Sequence, residues 1–200
     1  MLHKLLFGSI ALLLVATLLT GCVEAVVGSG AMVATATVEE RGIKGAANDV
    51  LTHAHITELW LTHSEKMYIH LGVSVVEGRA LLTGKVADPQ LRLDAVRLAW
   101  QARGIREVIN EIVVADTGSV GEYARDSWVT TQLVTKLLFD GEIRAINYKV
   151  ETVAGTIYLM GIAQNQTELD RVANHARNIP YAQRVVNYVR IKDQPARDRT

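Results

Sequence analysis

The sequence predicts an α+β protein made of two tandem domains, each with the order helix, strand, strand, helix, strand. A shift of 77 positions places residues 49–114 on residues 126–191 without a gap, and an internal repeat of this kind fixes the architecture. We call these segments the first copy and the second copy. Identical pairs across the shift include Asp49/Asp126, Leu61/Leu138, Gly78/Gly155, Gly84/Gly161 and Asn110/Asn187. Each copy is expected to form a three-stranded mixed sheet with two helices on one face.

The first helix of the second copy is predicted to begin at the start of the repeat, where Asp126 or Ser127 is suited to cap it. At about 100° per residue, one arc of this helix is apolar, which predicts the face that packs on the core. The arc contains Val129, Leu133, Val134, Leu137 and Leu138. The matching helix of the first copy carries its large ring, Trp60, at the position of Leu137, so Trp60 is also expected in a core.

The remaining elements of the second copy are a hairpin, a helix and a last strand. Residues 150–153 and 156–160 are strand-like, with Ala154-Gly155 at the turn between them. Residues 168–177 carry apolar side chains at helical spacing, and residues 185–191 form the last strand. A strand–helix–strand crossover makes the last two strands parallel, with a right-handed connection.

The N-terminus has the layout of a secretory signal, with a cationic start followed by an apolar run. The run spans residues 5–19 and is short for a membrane-spanning helix, which needs about 20 apolar residues. It ends in Leu19-Thr20-Gly21-Cys22, which resembles the lipobox of bacterial lipoproteins: an aliphatic residue, two small residues and a cysteine. This resemblance implies that residues 1–21 are a signal peptide and that Cys22 carries palmitate-type acyl chains. The alternative is an uncleaved signal anchor with an idle cysteine.

Val23, rather than Asp, follows this cysteine. In the lipoprotein family, Asp at that position favours retention in the inner membrane. Its absence therefore favours the outer membrane, with the protein lipid-anchored and facing the periplasm. Residues 22–48 are expected to form the lipidated N-terminus and a flexible connector, residues 115–125 a linker, and residues 192–200 a disordered tail.

The composition argues against several classes of function. The chain has 21 basic and 21 acidic residues, so its net charge of +0 predicts no attraction to nucleic acid. A single cysteine allows no disulfide within the chain. Four histidines of the first copy lack the i,i+4 spacing of a helical metal pair and are interpreted as solvated or capping residues: His53, His55, His63 and His70. Without a nucleophile elbow, phosphate loop or dinucleotide motif, the chain is predicted to be no enzyme and to need no metal or other cofactor.

A glycine pattern in the hairpin connects the repeat to a known family. The second copy has G-x-[IV]-x-L-x-G from Gly155 to Gly161, and its last strand contains [VI]-x-N, ending at Asn187. The first copy repeats the pattern from Gly78 to Gly84, with Ala in place of the first aliphatic residue. Both copies resemble the BON domain, over roughly residues 49–191. With the lipobox, this resemblance implies a non-enzymatic envelope lipoprotein that recognises anionic phospholipid, supports outer-membrane integrity and has envelope or division proteins as possible partners.

The second copy is the predicted lipid-binding copy. On its first helix, Trp128 and Phe139 fall together on the side opposite the core arc, beside Lys136. A Trp ring is favoured at headgroup depth, and Lys136, with Arg144 nearby in sequence, can meet a phosphate. The first copy has Leu51 and Thr62 in place of the two rings.

Other interpretations of the same residues stay open at this stage. Trp128 can fold back onto the neighbouring domain, and Phe139 can cover a sheet edge. The family resemblance connects Leu138 and Gly161 with function, although core packing is expected for Leu138 and a turn or close backbone approach for Gly161. The four hairpin glycines, Gly78, Gly84, Gly155 and Gly161, are predicted to be structural. The alternative function is a periplasmic chaperone or scaffold that binds envelope proteins.

Overall fold

The computed structural model describes residues 42–192, which belong to one compact unit, Ala36–Thr200. The predicted signal peptide, the lipidated Cys22, most of the connector and nearly all of the C-terminal tail lie outside the described residues. The first copy and the second copy are both described. The second copy has the predicted order of elements, and the first copy has it with one additional short helix and one additional short strand. The predicted α+β fold class is confirmed.

The first copy contains three helices and four strands. Its antiparallel hairpin pairs Leu71 with Gly84 at one end and Val76 with Arg79 at the other, and the second hairpin strand pairs in parallel with the two strands that follow the crossover helix. The elements are α1 (Gly42–His63), α2 (Glu65–His70), β1 (Leu71–Val76), β2 (Arg79–Val86), α3 (Pro89–Gln101), β3 (Glu107–Asn110) and β4 (Val113–Val114).

The second copy has the same plan without the extra short helix and the extra short strand. Tyr148 pairs with Gly161 in the antiparallel hairpin, and Thr156 pairs with Arg184 in the parallel pair. The elements are α4 (Val120–Phe139), a 3-10 turn (Ala145–Asn147), β5 (Tyr148–Val153), β6 (Thr156–Ala163), α5 (Gln166–Arg177) and β7 (Arg184–Ile191).

Helix α4 begins at Val120, inside the segment 115–125 that the sequence predicts as a linker. Ser119 caps it, because the Ser119 side chain accepts from the Glu122 N–H and the Glu122 side chain accepts from the Ser119 N–H. The prediction that Asp126 or Ser127 caps this helix is therefore wrong. A complete capping box satisfies two orphan N–H groups at once, so it defines the start of the helix.

Asp126 instead holds the hairpin turn of its own copy. Its carboxylate accepts from the N–H groups of Ala154 and Gly155 at 2.7 and 2.9 Å. In the first copy, Asp49 accepts from the N–H groups of the matching turn at 2.8 and 2.9 Å. The repeated Asp therefore connects the first helix of each copy to its hairpin, since both N–H groups of the turn lack a strand partner.

The hairpin glycines are required by the backbone. Gly155 and Gly78 have φ values of +71° and +72° at the turns, a region that side chains with a Cβ rarely adopt. At Gly161, with φ +152°, a Cβ would lie 2.1 Å from the Asn147 carbonyl oxygen. Gly84, with φ +115°, has the same close approach in the first copy. These positions leave no space for a side chain.

Three hydrophobic cores define the layers of the protein. The first core lies between the helices and the sheet of the first copy, and the second lies between the helices and the sheet of the second copy. The third core joins the open faces of the two sheets, through Val76, Leu81 and Ile109 from the first copy and Tyr158, Met160 and Ile162 from the second. The layer order is helices, sheet, sheet, helices, so α1 and α4 lie on opposite sides of the paired sheets.

Polar contacts also connect the two copies. The Arg79 guanidinium donates to the Tyr188 carbonyl at 3.0 Å and pairs with Glu107 at 2.7 Å. The Tyr188 hydroxyl donates to the Glu111 carboxylate, and Ser74 donates to the Glu151 carboxylate at 3.4 Å. Burial raises the pKa of Glu151. The apolar and polar contacts together show that the two copies pack on each other through their sheets.

Candidate functional site

The outward side of α4 carries the two predicted rings. Trp128 is 41% exposed and Phe139 is 87% exposed. They are eleven residues apart, which is close to three helical turns, so both rings lie on the same side about 16 Å apart along the axis. On the opposite side of the helix, Val129, Leu133 and Leu137 are fully buried in the core of the second copy.

Neither ring belongs to the core between the sheets, which contains strand residues. Trp128 is therefore not enclosed in the core between the two copies, as it would be if it folded back into that core. The exposure of Phe139 likewise contradicts the interpretation that it covers a sheet edge. Trp60 of the first copy is buried, and its indole N–H donates to the Ala95 carbonyl at 3.1 Å, as expected for a core residue.

Leu138 departs from its expected place in the core arc, because its side chain is 66% exposed. It lies in the last turn of α4, at the margin of the arc, next to the buried Leu137. Leu61, the matching residue of the first copy, is exposed as well. The structure therefore adds Leu138 to the apolar surface around Phe139.

Tyr181 belongs to this surface and was not expected from the sequence. Its ring makes an edge-to-face contact with Trp128, with the ring centroids 5.7 Å apart and the planes at 73°. The Arg125 guanidinium carbon lies over the Tyr181 ring, 5.4 Å from its centroid. Edge-to-face packing and a cation over a ring are both favourable arrangements for an aromatic side chain. Tyr181 itself is 63% exposed.

The backbone at Tyr181 is unusual for a tyrosine. Its φ is +67°, in the left-handed region where bulky residues are outliers. The matching residue of the first copy is Gly104, with φ +90°. A Tyr at this position carries a conformational cost of about 1–3 kcal/mol that Gly avoids. The sequence does contain a sign of this left-handed conformation, since the shift of 77 positions pairs Tyr181 with a glycine.

Three exposed cations lie near Trp128 or Phe139 in the sequence: Arg125, Lys136 and Arg144. Arg125 is the one that contacts a ring. Lys136 lies in the last turn of α4, where a cation is favourable beside the negative end of the helix dipole. Arg144 precedes the 3-10 turn, and its backbone N–H donates to the Glu168 carboxylate at 2.9 Å. Thus one cation precedes Trp128 in the sequence, and the other two lie on either side of Phe139. We call Arg125, Trp128, Phe139 and Tyr181 the ring surface.

Asp140 fixes the end of α4 beside Phe139. Its carboxylate lies 2.7 Å from both the Arg171 Nε and the His175 Nε2 of α5. It also accepts from the Glu142 N–H at 3.1 Å. The Arg171 side chain, followed by His175, holds the pKa of Asp140 well below its usual range. The ionised carboxylate therefore ties the loop after α4 to α5, next to Phe139.

The described part of the chain has neither a metal-binding cluster nor a membrane-spanning helix. Within residues 42–192, no three or more His, Cys, Asp or Glu side chains cluster in a way that could hold a metal ion. In the same range, no helix has both the length and the apolar character needed to cross a membrane.

The sequence model of the BON domain matches residues 48–116 and 125–193, which correspond to the two copies. This chain belongs to the BON domain family. The resemblance in the glycine pattern is therefore confirmed. Three proteins are similar to this chain over about two thirds of its length or more.

The chain is 32% identical to the outer membrane lipoprotein DolP of Haemophilus influenzae, over 92% of this chain and 96% of that protein. It is 40% identical to an uncharacterised protein from the gshII 5′ region of Anaplasma centrale, over 66% of this chain and 87% of that protein. It is 26% identical to the osmotically inducible protein Y of Escherichia coli, over 72% and 73% of the two chains. The similarity to DolP thus runs through both BON domains and well beyond them.

Proposed function

We propose that this BON-family chain is a non-enzymatic lipoprotein of the outer membrane that binds anionic phospholipid through its second copy and helps to maintain membrane integrity. Acyl chains on Cys22 hold it at the membrane, facing the periplasm. The lipobox at residues 19–22 and the similarity to DolP along 92% of the chain support the anchor and the compartment. Two or more acyl chains give stable attachment, because each buried CH₂ contributes about 0.8 kcal/mol.

The ring surface is the observation that carries the lipid-binding proposal. Exposed aromatic rings and cations on one side of a helix suit the boundary between headgroups and acyl chains, where an amphipathic ring is favoured. The left-handed backbone at Tyr181 strengthens the argument. A residue held in a costly conformation with its ring at the surface indicates a function that glycine would not serve.

The expected affinity is weak, and the anchor makes it sufficient. If insertion buries about 100 Å² of each of two rings at about 25 cal/mol per Å², the gain is about 5 kcal/mol before the cost of ordering. Such an energy corresponds to a dissociation constant in the high micromolar to millimolar range. A tether to the same membrane supplies headgroups at effective concentrations of that order.

The test uses the chain lacking residues 1–22, so that the anchor does not mask the contact. All three cores lie within residues 42–192 and are retained. In a titration with phosphatidylglycerol micelles, the NMR shifts are expected to cluster on the ring surface. Trp128→Glu should weaken binding at least about tenfold, whereas Leu51→Glu, the matching exposed position of the first copy, should not. Shifts that cluster elsewhere, or equal effects of the two variants, would contradict the proposal.

A second candidate function, docking of envelope or division proteins, has its own supporting observation. The outer side of α3 exposes Leu93 and Trp100, which are seven residues apart and therefore on one face. The second copy has Asp170 and Arg177 at these positions. Capture of a specific envelope protein that survives detergent and is lost in Trp100→Glu would favour this function over lipid binding.

A further inference from the structure

The first copy contains an open groove at the place where the second copy carries its rings. The groove has a volume of about 650 Å³ and lies between α1, the β1–β2 turn and the loop from α3 to β3. The α1 side contributes Asn48, Thr52 and His55, and the loop contributes Arg103 and Arg106. It shares no residue with the ring surface.

The repeat explains why the groove is open. Gly104 matches Tyr181, and Leu51 matches Trp128. The Tyr181 and Trp128 rings therefore have no aromatic counterpart in the groove. The backbone is nevertheless conserved in shape, since Gly104 and Tyr181 both have positive φ, at +90° and +67°. The framework that holds an aromatic ring in the second copy is thus kept in the first copy without the ring.

The charge of the groove also differs from that of the second copy. Arg103 and Arg106 replace Pro180 and Gln183. Both arginines are exposed, and neither guanidinium forms an ion pair with any residue of the described range 42–192.

The acidic groups nearby are already engaged. The Asp49 carboxylate accepts from two turn N–H groups, and Glu77 lies 3.6 Å from the Arg190 guanidinium. The loop itself is fixed, because the Thr52 hydroxyl donates to the Arg103 carbonyl at 2.8 Å and the Arg103 N–H donates to the His55 imidazole at 3.4 Å. The groove therefore presents two cations on a backbone that is held in place.

We propose that this groove binds an acidic polypeptide segment that contains an aromatic side chain. The ring occupies the place over Gly104 that the Tyr181 ring takes in the second copy. The carboxylates of the segment pair with Arg103 and Arg106, whose planar guanidinium groups suit both bidentate carboxylate contacts and stacking on a ring. The site goes beyond lipid binding, and the choice of a polypeptide as its occupant rests in part on the proposed contact of α4 with the membrane.

The layer order favours a polypeptide over the membrane as the occupant. α1 lies on the opposite side of the paired sheets from α4, because each pair of helices covers the outer face of its own sheet. When α4 lies on the bilayer, α1 is turned away from that bilayer. The described residues that line the groove also include no Trp, Tyr or Phe ring of the kind that suits headgroup depth.

The test uses the full-length chain in micelles of an uncharged detergent. The ligand is a fluorescently labelled peptide, Gly-Glu-Tyr-Glu-Gly, with a second peptide in which Lys replaces both Glu residues. Fluorescence anisotropy measures the affinity, and NMR locates the contact. We expect saturable one-to-one binding of the acidic peptide, with amide shifts at Thr52, Gly78 and Gly104.

Three variants test the groove. Arg103→Glu with Arg106→Glu should lower the affinity at least tenfold, and so should Gly104→Tyr combined with Thr52→Val, which copies the Tyr and Val of the second copy into the groove. The Thr52 change is needed because a Cβ at Gly104 would lie 2.7 Å from the Thr52 hydroxyl oxygen. Lys66→Glu, an exposed charge reversal elsewhere in the first copy, should leave the affinity unchanged.

Each alternative outcome overturns the proposal. Absence of saturable binding at millimolar peptide, equal binding of the Lys peptide, or equal loss in the Lys66 variant would remove the site. Groove shifts caused by phosphatidylglycerol micelles and not by the peptide would assign the groove to lipid. A change of oligomeric state in the groove variants without peptide binding would assign it to a second copy of the chain. If circular dichroism shows that Gly104→Tyr with Thr52→Val does not fold, the affinity of the Arg103→Glu, Arg106→Glu variant still tests the groove.

Discussion

Replacing Tyr181 by Gly separates the function of this residue from its effect on stability. In the folded state, the substitution removes an aromatic pair of about 0.5–1.5 kcal/mol and a cation–ring contact of about 0.5–1 kcal/mol at an exposed site. It also relieves a left-handed backbone that costs a tyrosine about 1–3 kcal/mol. These contributions are similar in size and opposite in sign. The free energy of unfolding is therefore expected to change by no more than about 1 kcal/mol.

Tyr181→Ala is the matched control, because Ala loses the ring and keeps a Cβ at positive φ. It should be less stable than Tyr181→Gly by about 1 kcal/mol. Urea unfolding followed by circular dichroism measures both values on the chain lacking residues 1–22. Binding to phosphatidylglycerol vesicles should fall about three- to tenfold in both variants, because both lose the ring that supports Trp128. A loss of more than about 2 kcal/mol in Tyr181→Gly, or unchanged vesicle binding, would show that the ring is structural.

Three further substitutions test the rest of the account. Gly161→Ala should cost about 3 kcal/mol or more of stability in a thermal melt, since its Cβ would lie 2.1 Å from the Asn147 carbonyl oxygen. Gly141→Ala is the control, because the space around Gly141 is open, and it should change stability by less than about 1 kcal/mol. Asp126→Ala should cost about 1–3 kcal/mol in urea unfolding, because two turn N–H groups lose their acceptor. The pKa of Asp140 is lower in the folded protein than its unfolded value of about 4. The Asp140 carboxylate therefore stabilises the fold fully above about pH 4, and this stabilisation is lost as the pH falls through the pKa of the folded state. Asp140→Asn should flatten that part of the acid-unfolding profile.

The sequence was sufficient for the fold of each copy, because the repeat supplies two independent examples of one pattern. Gly78 and Gly155 mark the same turn, and the crossover helix requires a parallel last strand. The sequence also indicates that the two sheets pack on each other. In β6, four successive apolar residues are buried, Ile157 to Met160, and alternate ones reach different cores. A strand that is apolar on both faces is typical of a sheet covered on both sides.

The sequence predicts the details of the candidate site less completely than it predicts the fold. Leu138 lies at the margin of the apolar arc, where periodicity does not decide whether a side chain is buried, and it is exposed. The start of α4 required a choice between the repeated Asp126 and the capping box at Ser119. The contact between Trp128 and Tyr181 joins two distant parts of the chain, so it depends on how the loop after α5 folds back beside α4.

The central claim is that the second copy, and in particular the Trp128 ring, enters the lipid headgroup region. The chain has three tryptophans, which give an internal comparison: Trp60 is buried, and Trp100 is exposed on the first copy. Phosphatidylglycerol micelles with a spin label at the acyl chain boundary should broaden the indole N–H signal of Trp128 and leave those of Trp60 and Trp100 sharp. Equal broadening of Trp100 and Trp128, or broadening of Trp100 alone, would contradict the claim that the ring surface is the part of the molecule that meets the membrane.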